Sequence, residues 1–201
     1  NVTINGPWNP SDKATEELII PAGRTLTTGT FAGVAGTTVS GTGTWTVNGK
    51  LTLPDNAGDI TYTVNARDME IDYAAGTINI LNNVTVDRGL VIDSSTAVTV
   101  NINKADHSST TSTTVQAGTL SKGTNTATIN INENGTLIVG DSRNPATGTA
   151  IVNGVKINNY SGTSLYVYGL LNNVVLTIGD ASNAGTTVIG GMTGSSSLTL
   201  V

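Results

Sequence analysis

Apolar and polar residues alternate along most of the chain in short runs with a period of two. Examples are residues 44–47, 60–64, 69–71 and 98–102, each of three to five residues. Such alternation places apolar side chains on one face of a strand and polar side chains on the other. Gly, Asn, Asp and Ser separate the runs, and these residues tolerate turn dihedrals. The pattern predicts many short strands joined by tight turns.

Residues 11–20 are the one segment with a helical signal. Ser11 is a suitable N-cap, acidic residues follow it, and Pro21 and Gly23 end the segment. A short helix and a non-helical segment both remain open for this stretch.

The short runs also recur at a longer interval. Residues 176–183 repeat the pattern of residues 137–144 after 39 positions. Two apolar runs around an Asn or Gly turn also occur at 47–51, 152–157 and 167–171. An interval of 39 residues corresponds to about two coils of a solenoid. In a solenoid, coils stack as parallel strands about 4.8 Å apart, so every inner strand is hydrogen-bonded on both edges.

The chain is therefore predicted to be all-β, forming a right-handed parallel β-helix, or β-solenoid, of about eight to ten rungs. Residues 1–30 are expected to form an N-terminal cap or a segment donated to a neighbour. Residues 31–201 form one continuous solenoid, with a Ser/Thr-rich loop near 108–114. The alternative is an antiparallel β-sandwich or jelly roll, which also uses short strands and frequent turns. Internal copies 39 residues apart are not expected of a sandwich.

Residues 18–27 and 44–53 resemble the opening coils of β-helical surface proteins, and residues 135–141 and 148–152 resemble their repeats. The families concerned are autotransporter passenger domains and pectate-lyase-like adhesins. The likeness covers most of residues 18–201 and consists of small turn residues and short apolar runs. It implies a secreted or cell-surface solenoid.

Composition narrows the classes of partner. The 201 residues include nine Lys and Arg against fourteen Asp and Glu, a net charge of −5. This balance argues against nucleic-acid binding, which needs clustered basic residues. The absence of Cys excludes disulfides and thiolate metal sites, and one His excludes a multi-histidine centre. No apolar run reaches the length of a membrane-spanning helix.

Three acids form the main candidate for chemistry. Asp68, Glu70 and Asp72 alternate along one strand, with Met69 and Ile71 on the opposite face. They are candidate ligands for Ca²⁺, or carboxylates of a polysaccharide lyase or hydrolase. The simpler interpretation is a solvated strand face that keeps the rod soluble. The single histidine, His107, has no nucleophile motif around it.

Two tyrosines form a second candidate, for binding without turnover. Tyr166 and Tyr168 lie on one face of a strand and Val167 on the other. A pair of exposed rings suits contact with a glycan. Four sequons also occur, with possible glycosylation at Asn1, Asn83, Asn134 and Asn159.

The last residues of the sequence are predicted to form a strand without a polar cap. Leu198, Thr199, Leu200 and Val201 are the candidate assembly edge. An open edge recruits other strands, and a head-to-tail contact between copies generates a filament. We expect an extracellular or cell-surface structural protein without catalysis, either a self-assembling fibre subunit or an adhesin stalk. Its partners are further copies of itself, with glycans or neighbouring cell surfaces as additional partners.

Overall fold

The structure is a computed structural model that describes residues 1–4, 17–55, 57–74, 76–104, 111–160, 162–179 and 185–201. Among these residues there are nineteen strands and no helix. Glu17–Ile20, the end of the segment with a helical signal, is a strand, while residues 11–16 lie outside the described part. Of the expected Ser/Thr-rich loop, residues 108–110 lie outside it, and Thr113–Lys122 is a strand.

The strands, in chain order, are β1 (Val2–Ile4), β2 (Glu17–Ile20), β3 (Thr25–Thr28), β4 (Phe31–Ala32), β5 (Thr38–Gly41), β6 (Thr44–Leu53), β7 (Thr63–Tyr73), β8 (Gly76–Ile80), β9 (Val84–Ser94), β10 (Val98–Ile102), β11 (Thr113–Lys122), β12 (Ala127–Ile131), β13 (Gly135–Val139), β14 (Ala150–Asn153), β15 (Lys156–Asn159), β16 (Ser164–Asn172), β17 (Val175–Ile178), β18 (Thr186–Thr193) and β19 (Ser197–Leu200).

Every pairing between these strands is parallel. The strands stack as a β-solenoid of about eight coils, which confirms the parallel β-helix and excludes the antiparallel sandwich. Eight coils at about 4.8 Å each give a stack about 38 Å long. The pairings of β1 with β3 and of β2 with β5 place described residues of the first thirty in this stack.

Each coil has three sides. One sheet, which contains the long strands, supplies the first and second sides, and β8, β10, β12, β15, β17 and β19 supply most of the third. The two sides of the long strands meet where pairing shifts register, for example between Val47 and Lys50 of β6 and between Val167 and Leu170 of β16. An irregularity of this kind bends a strand. We call this position the corner; it comprises residues 48–49, 67–68, 87–89, 118, 140–149, 168–169 and 190.

Register is conserved although coil length is not. Leu26, Trp45, Val64 and Val84 occupy equivalent inward positions at intervals of 19, 19 and 20 residues. The next equivalents, Val115, Leu137, Leu165 and Thr187, follow at intervals of 31, 22, 28 and 22 residues. The additional residues of the longer coils lie in the segments that connect strands, so they do not disturb the hydrogen bonds between strands.

The predicted 39-residue repeat is wrong, because residues 39 positions apart do not occupy equivalent positions in the stack. Leu137 of β13 pairs with Leu165, whereas Leu176 lies in β17 on the third side. All sides of the coil use the same local unit, a short apolar run followed by a small turn residue. Similar sequences therefore recur between different sides as well as between successive coils.

The core is filled by the inward side chains of all three sides. In the first coils it is aromatic: the rings of Phe31 and Trp45 meet edge to face with centroids 4.7 Å apart, and Tyr62 lies 6.0 Å from Trp45. The buried indole Nε1 of Trp45 donates a hydrogen bond to Thr28 Oγ1 at 3.1 Å. Later coils use aliphatic residues such as Val100 and Ile129. Burial of this apolar column supplies the main favourable free energy of folding.

A ladder of amides runs along the outward face of the third side. The Nδ2 of each Asn donates a hydrogen bond to the Oδ1 of the Asn in the preceding coil. Asn158 donates to Asn130 at 2.8 Å, and Asn130 donates to Asn101 at 2.9 Å. Asn101 in turn donates to Asn79 at 2.9 Å. The ladder ends on Asp59, whose Oδ1 accepts from Asn79 Nδ2 at 3.0 Å. A carboxylate suits this end because it only accepts hydrogen bonds. Stacked amides thus satisfy one another where stacked charges would repel.

The ladder makes a central amide more important for stability than its outward position suggests. Asn101→Ala leaves both Asn79 Oδ1 and Asn130 Nδ2 without their partner, and Asn101 is only 7% exposed. We expect the free energy of unfolding, measured by urea denaturation, to fall by about 1–3 kcal/mol. Thr99→Ala, at a half-buried outward position of the same strand, serves as the control and is expected to cost less than about 0.5 kcal/mol. Equal losses for both variants would contradict the ladder's role.

Candidate functional site

The three acids of β7 face outward, as the alternation predicts. Met69 and Ile71 between them are 1% and 0% exposed. The adjacent coils on either side provide charged neighbours that the local sequence does not reveal. Lys50 of β6 lies beside Asp68 in register and forms an ion pair with Glu70. The middle carboxylate of the three therefore already has a cationic partner.

Asp72 has a carboxylate neighbour instead of a cation. It pairs in register with Asp93 of β9. Partial burial raises the pKa of Asp72, and the nearby charges of Glu70, Asp93 and Asp55 raise it further, while Lys50 opposes them. Asp93 itself is a structural acceptor, since its Oδ1 receives the backbone N–H groups of Ser94 and Thr124 at 2.9 Å each.

The described residues contain no group of three or more His, Cys, Asp or Glu side chains placed to hold a metal ion. The Ca²⁺ assignment to Asp68, Glu70 and Asp72 therefore stays a prediction. The acids of the 54–59 turn serve the backbone: Asp55 accepts from the N–H of Ala74, and Asp59 from that of Asn79. Asn56, and also His107, lie outside the described residues.

Tyr166 and Tyr168 lie together on the outward face of β16, and Val167 is buried, as predicted. Their rings are nearly parallel, with centroids 6.3 Å apart and an interplanar angle of 12°. Tyr168 also lines a cavity of about 210 Å³ beside Pro145 and Gly148. Both rings are partly exposed and stacked on each other.

The C-terminal coil exposes apolar residues at inward positions. Leu198 of β19 pairs with Leu176 and Leu200 pairs with Ile178, so both continue the core column of the third side. Leu176 is fully buried, but Leu198 is 47% and Leu200 73% exposed. Thr199 faces outward between them, and the exposed Val201 donates its N–H to the carbonyl of Ile178 at 2.9 Å.

The first coil presents a second apolar surface. A cavity of about 550 Å³ lies there, lined mainly by Val2, Leu18, Ile19, Ile20 and Leu26. Ile19 is 57% exposed. Both described ends of the stack therefore carry apolar side chains.

The sequons occupy unlike positions. Asn1, Asn83 and Asn134 are exposed, and the Oδ1 atoms of the first two accept backbone N–H groups, from Thr25 at 3.2 Å and Thr114 at 2.9 Å. Asn159 is only 1% exposed, and its Nδ2 donates to Thr187 Oγ1 at 2.8 Å. Attachment of a glycan at Asn159 would require this buried amide to leave the coil.

Sequence reasoning missed a groove along the corner. A cavity of about 350 Å³ between β6, β7 and β9 and another of about 750 Å³ that reaches β11 and the 140–149 loop share the side chains of Asp87 and Arg88. Asp68 and Asp141 also line the larger cavity. We call the two cavities together the corner groove. Its residues are distant in sequence, and only the register between coils brings them together.

The raised pKa of Asp72 predicts a pH-dependent effect of Asp72→Asn. The fold disfavours the charged carboxylate, so wild-type stability is reduced above the folded pKa. This penalty vanishes below the ordinary value of 3.8, where Asp72 is protonated in both states. Because the group is largely solvated, we expect the variant to be more stable at about pH 7 by less than about 1 kcal/mol and equal to wild type near pH 2.5. Urea denaturation at the two pH values measures this, and a loss of stability at pH 7 would contradict it.

None of the described residues forms a helix long and apolar enough to cross a membrane. Comparison of the chain with protein-family models, with curated proteins and with solved structures gives no match.

Proposed function

We propose that this protein is an extracellular or cell-surface structural solenoid that associates end to end, as a fibre subunit or an adhesin stalk, and that it performs no catalysis. The observation that carries the proposal is the exposure of Leu198 and Leu200 at positions that are core positions in the preceding coils. The resemblance of residues 18–27 and 44–53 to autotransporter passenger domains and pectate-lyase-like adhesins supports the location.

The proposed contact extends the pairing that already builds the molecule. Among the described strands β18 and β19 each pair on one edge only. A further coil there would extend the pairing and cover Leu198 and Leu200, whose burial is worth about 1.5–3 kcal/mol per side chain. The partner surface is the first coil of another copy, where Ile19 and Leu18 line an apolar cavity. The contact joins unlike ends, so it repeats without closing and yields a filament.

Catalysis at the β7 acids is not part of the proposal. Glu70 is engaged by Lys50, and Asp72 lies exposed on an open sheet face. A lyase or hydrolase needs carboxylates held at a substrate-binding cleft. Glu70 and Asp72 occupy a solvated strand face, whereas Asp68 lines the larger cavity of the corner without either of them.

The end-to-end contact predicts concentration-dependent association that a single charge abolishes. We expect wild-type protein to form rods of increasing length, seen by negative-stain electron microscopy and analytical ultracentrifugation. Leu200→Lys places an ammonium group in the apolar contact and should weaken association at least tenfold, on the order of the lost burial energy.

Val175→Lys is the matched control, because Val175 is 42% exposed on β17, next to β19, but does not belong to the core column. It should associate like wild type. Monomeric wild-type particles at high concentration would refute the proposal, as would equal association of wild type and Leu200→Lys.

A second function, glycan binding without turnover, is favoured by the parallel rings of Tyr166 and Tyr168. Sugar rings pack their apolar faces on aromatic side chains, and the two tyrosines present adjacent faces on one strand.

Tyr166→Ala or Tyr168→Ala should lower the affinity for a bound glycan about tenfold if this second function exists. Affinity electrophoresis in gels containing soluble polysaccharides measures the change. Tyr160→Ala is the control, since Tyr160 is 41% exposed and is not one of the stacked pair. Unchanged migration of both pair variants would argue against the platform.

A further inference from the structure

The corner groove is a site that end-to-end association does not use. Its walls come from equivalent positions of β6, β7, β9 and β11 and from the 140–149 loop after β13. These are five successive coils, so the groove extends about 19 Å along the stack. A long open groove of this form suits a segment of an extended polymer better than a compact small molecule.

Gly89 keeps the groove open, although the packing around it would accept a larger residue. A Cβ atom at Gly118 would lie 2.6 Å from the carbonyl oxygen of Arg88, so glycine is obligatory there. A Cβ atom at Gly89 would approach only Thr119 Oγ1 at 3.5 Å and Asp68 Oδ1 at 3.9 Å, which are ordinary contacts. A side chain would therefore fit at Gly89 and fill the groove, and its absence leaves a path along the corner.

The 140–149 loop forms an ordered wall at the far end of the groove. The N–H of Ala146 donates to the carbonyl of Tyr168 at 2.8 Å, and Leu170 N–H donates to the carbonyl of Thr149 at 2.9 Å. Asp141 Oδ1 accepts the N–H of Arg143 at 2.8 Å, as expected for an acid that caps its own turn. The loop is thus tied to the next coil at two points, and the wall is already formed in the free protein.

The lining combines hydrogen-bond acceptors and donors with apolar residues such as Val86, Ala117 and Ile151, a mixture that suits the hydroxyl groups and the apolar faces of sugar rings. Asp68, Asp87 and Asp141 supply carboxylate oxygens, Arg88 supplies a guanidinium, and Gln116 supplies an amide. Hydroxyl groups both donate and accept, so a hydroxyl-rich chain matches this mixture. The two cavities together carry the carboxylates of Asp68, Asp87 and Asp141 against the guanidinium groups of Arg67 and Arg88, and the protein has a net charge of −5, which disfavours a polyanion.

We propose that the corner groove binds an uncharged polysaccharide chain lying parallel to the stack. Arg88 and the carboxylates of Asp68 and Asp87 hydrogen-bond its hydroxyl groups, and Gly89 leaves the space for its rings. The lining of the larger cavity includes neither Leu200 of the end contact nor Tyr166 and Tyr168, although the 140–149 wall is hydrogen-bonded to Tyr168.

Affinity electrophoresis with neutral polysaccharides (β-glucan, xyloglucan, mannan) and anionic ones (polygalacturonate, alginate) tests the proposal. We expect at least one neutral polymer to retard the wild-type protein and neither anionic polymer to do so. Gly89→Leu fills the groove and should lower the affinity at least tenfold with an unchanged urea midpoint. Arg88→Ala removes charge-assisted hydrogen bonds and should lower it about tenfold.

Asp72→Asn is the matched control, because Asp72 is an exposed acid of the same strand as Asp68 but lies away from the groove. It should bind like wild type, as should Leu200→Lys, which separates this site from end-to-end association.

If Gly89→Leu lowers the urea midpoint, the affinity of Arg88→Ala for the neutral polysaccharide becomes the test of the proposal. Absence of retardation by every neutral polymer, retardation by an anionic one, or wild-type affinity of Arg88→Ala would each overturn the proposal. Loss of binding in Tyr166→Ala with Arg88→Ala unaffected would assign the glycan to the tyrosine platform.

Discussion

The parallel hydrogen-bond ladder between successive coils is the constraint on which the rest of this structure depends. It places each residue directly above its equivalent in the preceding coil, so side chains of the same type must be able to stack on one another. Apolar residues do so in the core column from Leu26 to Leu165, and amides do so in the ladder from Asn79 to Asn158. Charges do so poorly, which accounts for a charged fraction of only 11%. Asp72 beside Asp93 is an exception: the pKa of Asp72 is raised by partial burial first, and then by the charges of Glu70 and Asp93.

The same constraint decides where surfaces for binding arise. Within a side, the inner strands are paired with the coils on both edges, so insertions are accommodated between strands. Around the 140–149 excursion β13 stays in register with β11, and β14 stays paired with β16 with a register shift between Ala150 and Val152; the excursion itself builds a wall for the corner groove. Among the described strands β19 pairs with β17 alone, and Leu200, which continues the core column of the third side, is 73% exposed. The corners and the terminal described coils are therefore the parts of this solenoid that offer surfaces to a ligand or a second copy.

Local pattern was sufficient for much of the fold because strand alternation is a local property. The outward direction of Asp68, Glu70 and Asp72, and the shared face of Tyr166 and Tyr168, follow from a period of two and are confirmed. The 39-residue repeat failed because similar short units occur on different sides of the coil. The ion pair of Glu70 with Lys50 was missed because it depends on the register between β6 and β7.

By itself the sequence determined the class of structure: short alternating strands, small turn residues and few charges lead to stacked parallel coils. Only the tertiary structure decided which residues become neighbours across coils. The intervals between equivalent residues range from 19 to 31, so no fixed spacing identifies Asp68, Arg88 and Asp141 as the lining of one groove. The physical reason is that side-chain direction is set within a strand, whereas coil-to-coil register is set by backbone pairing, which leaves the length of each excursion free.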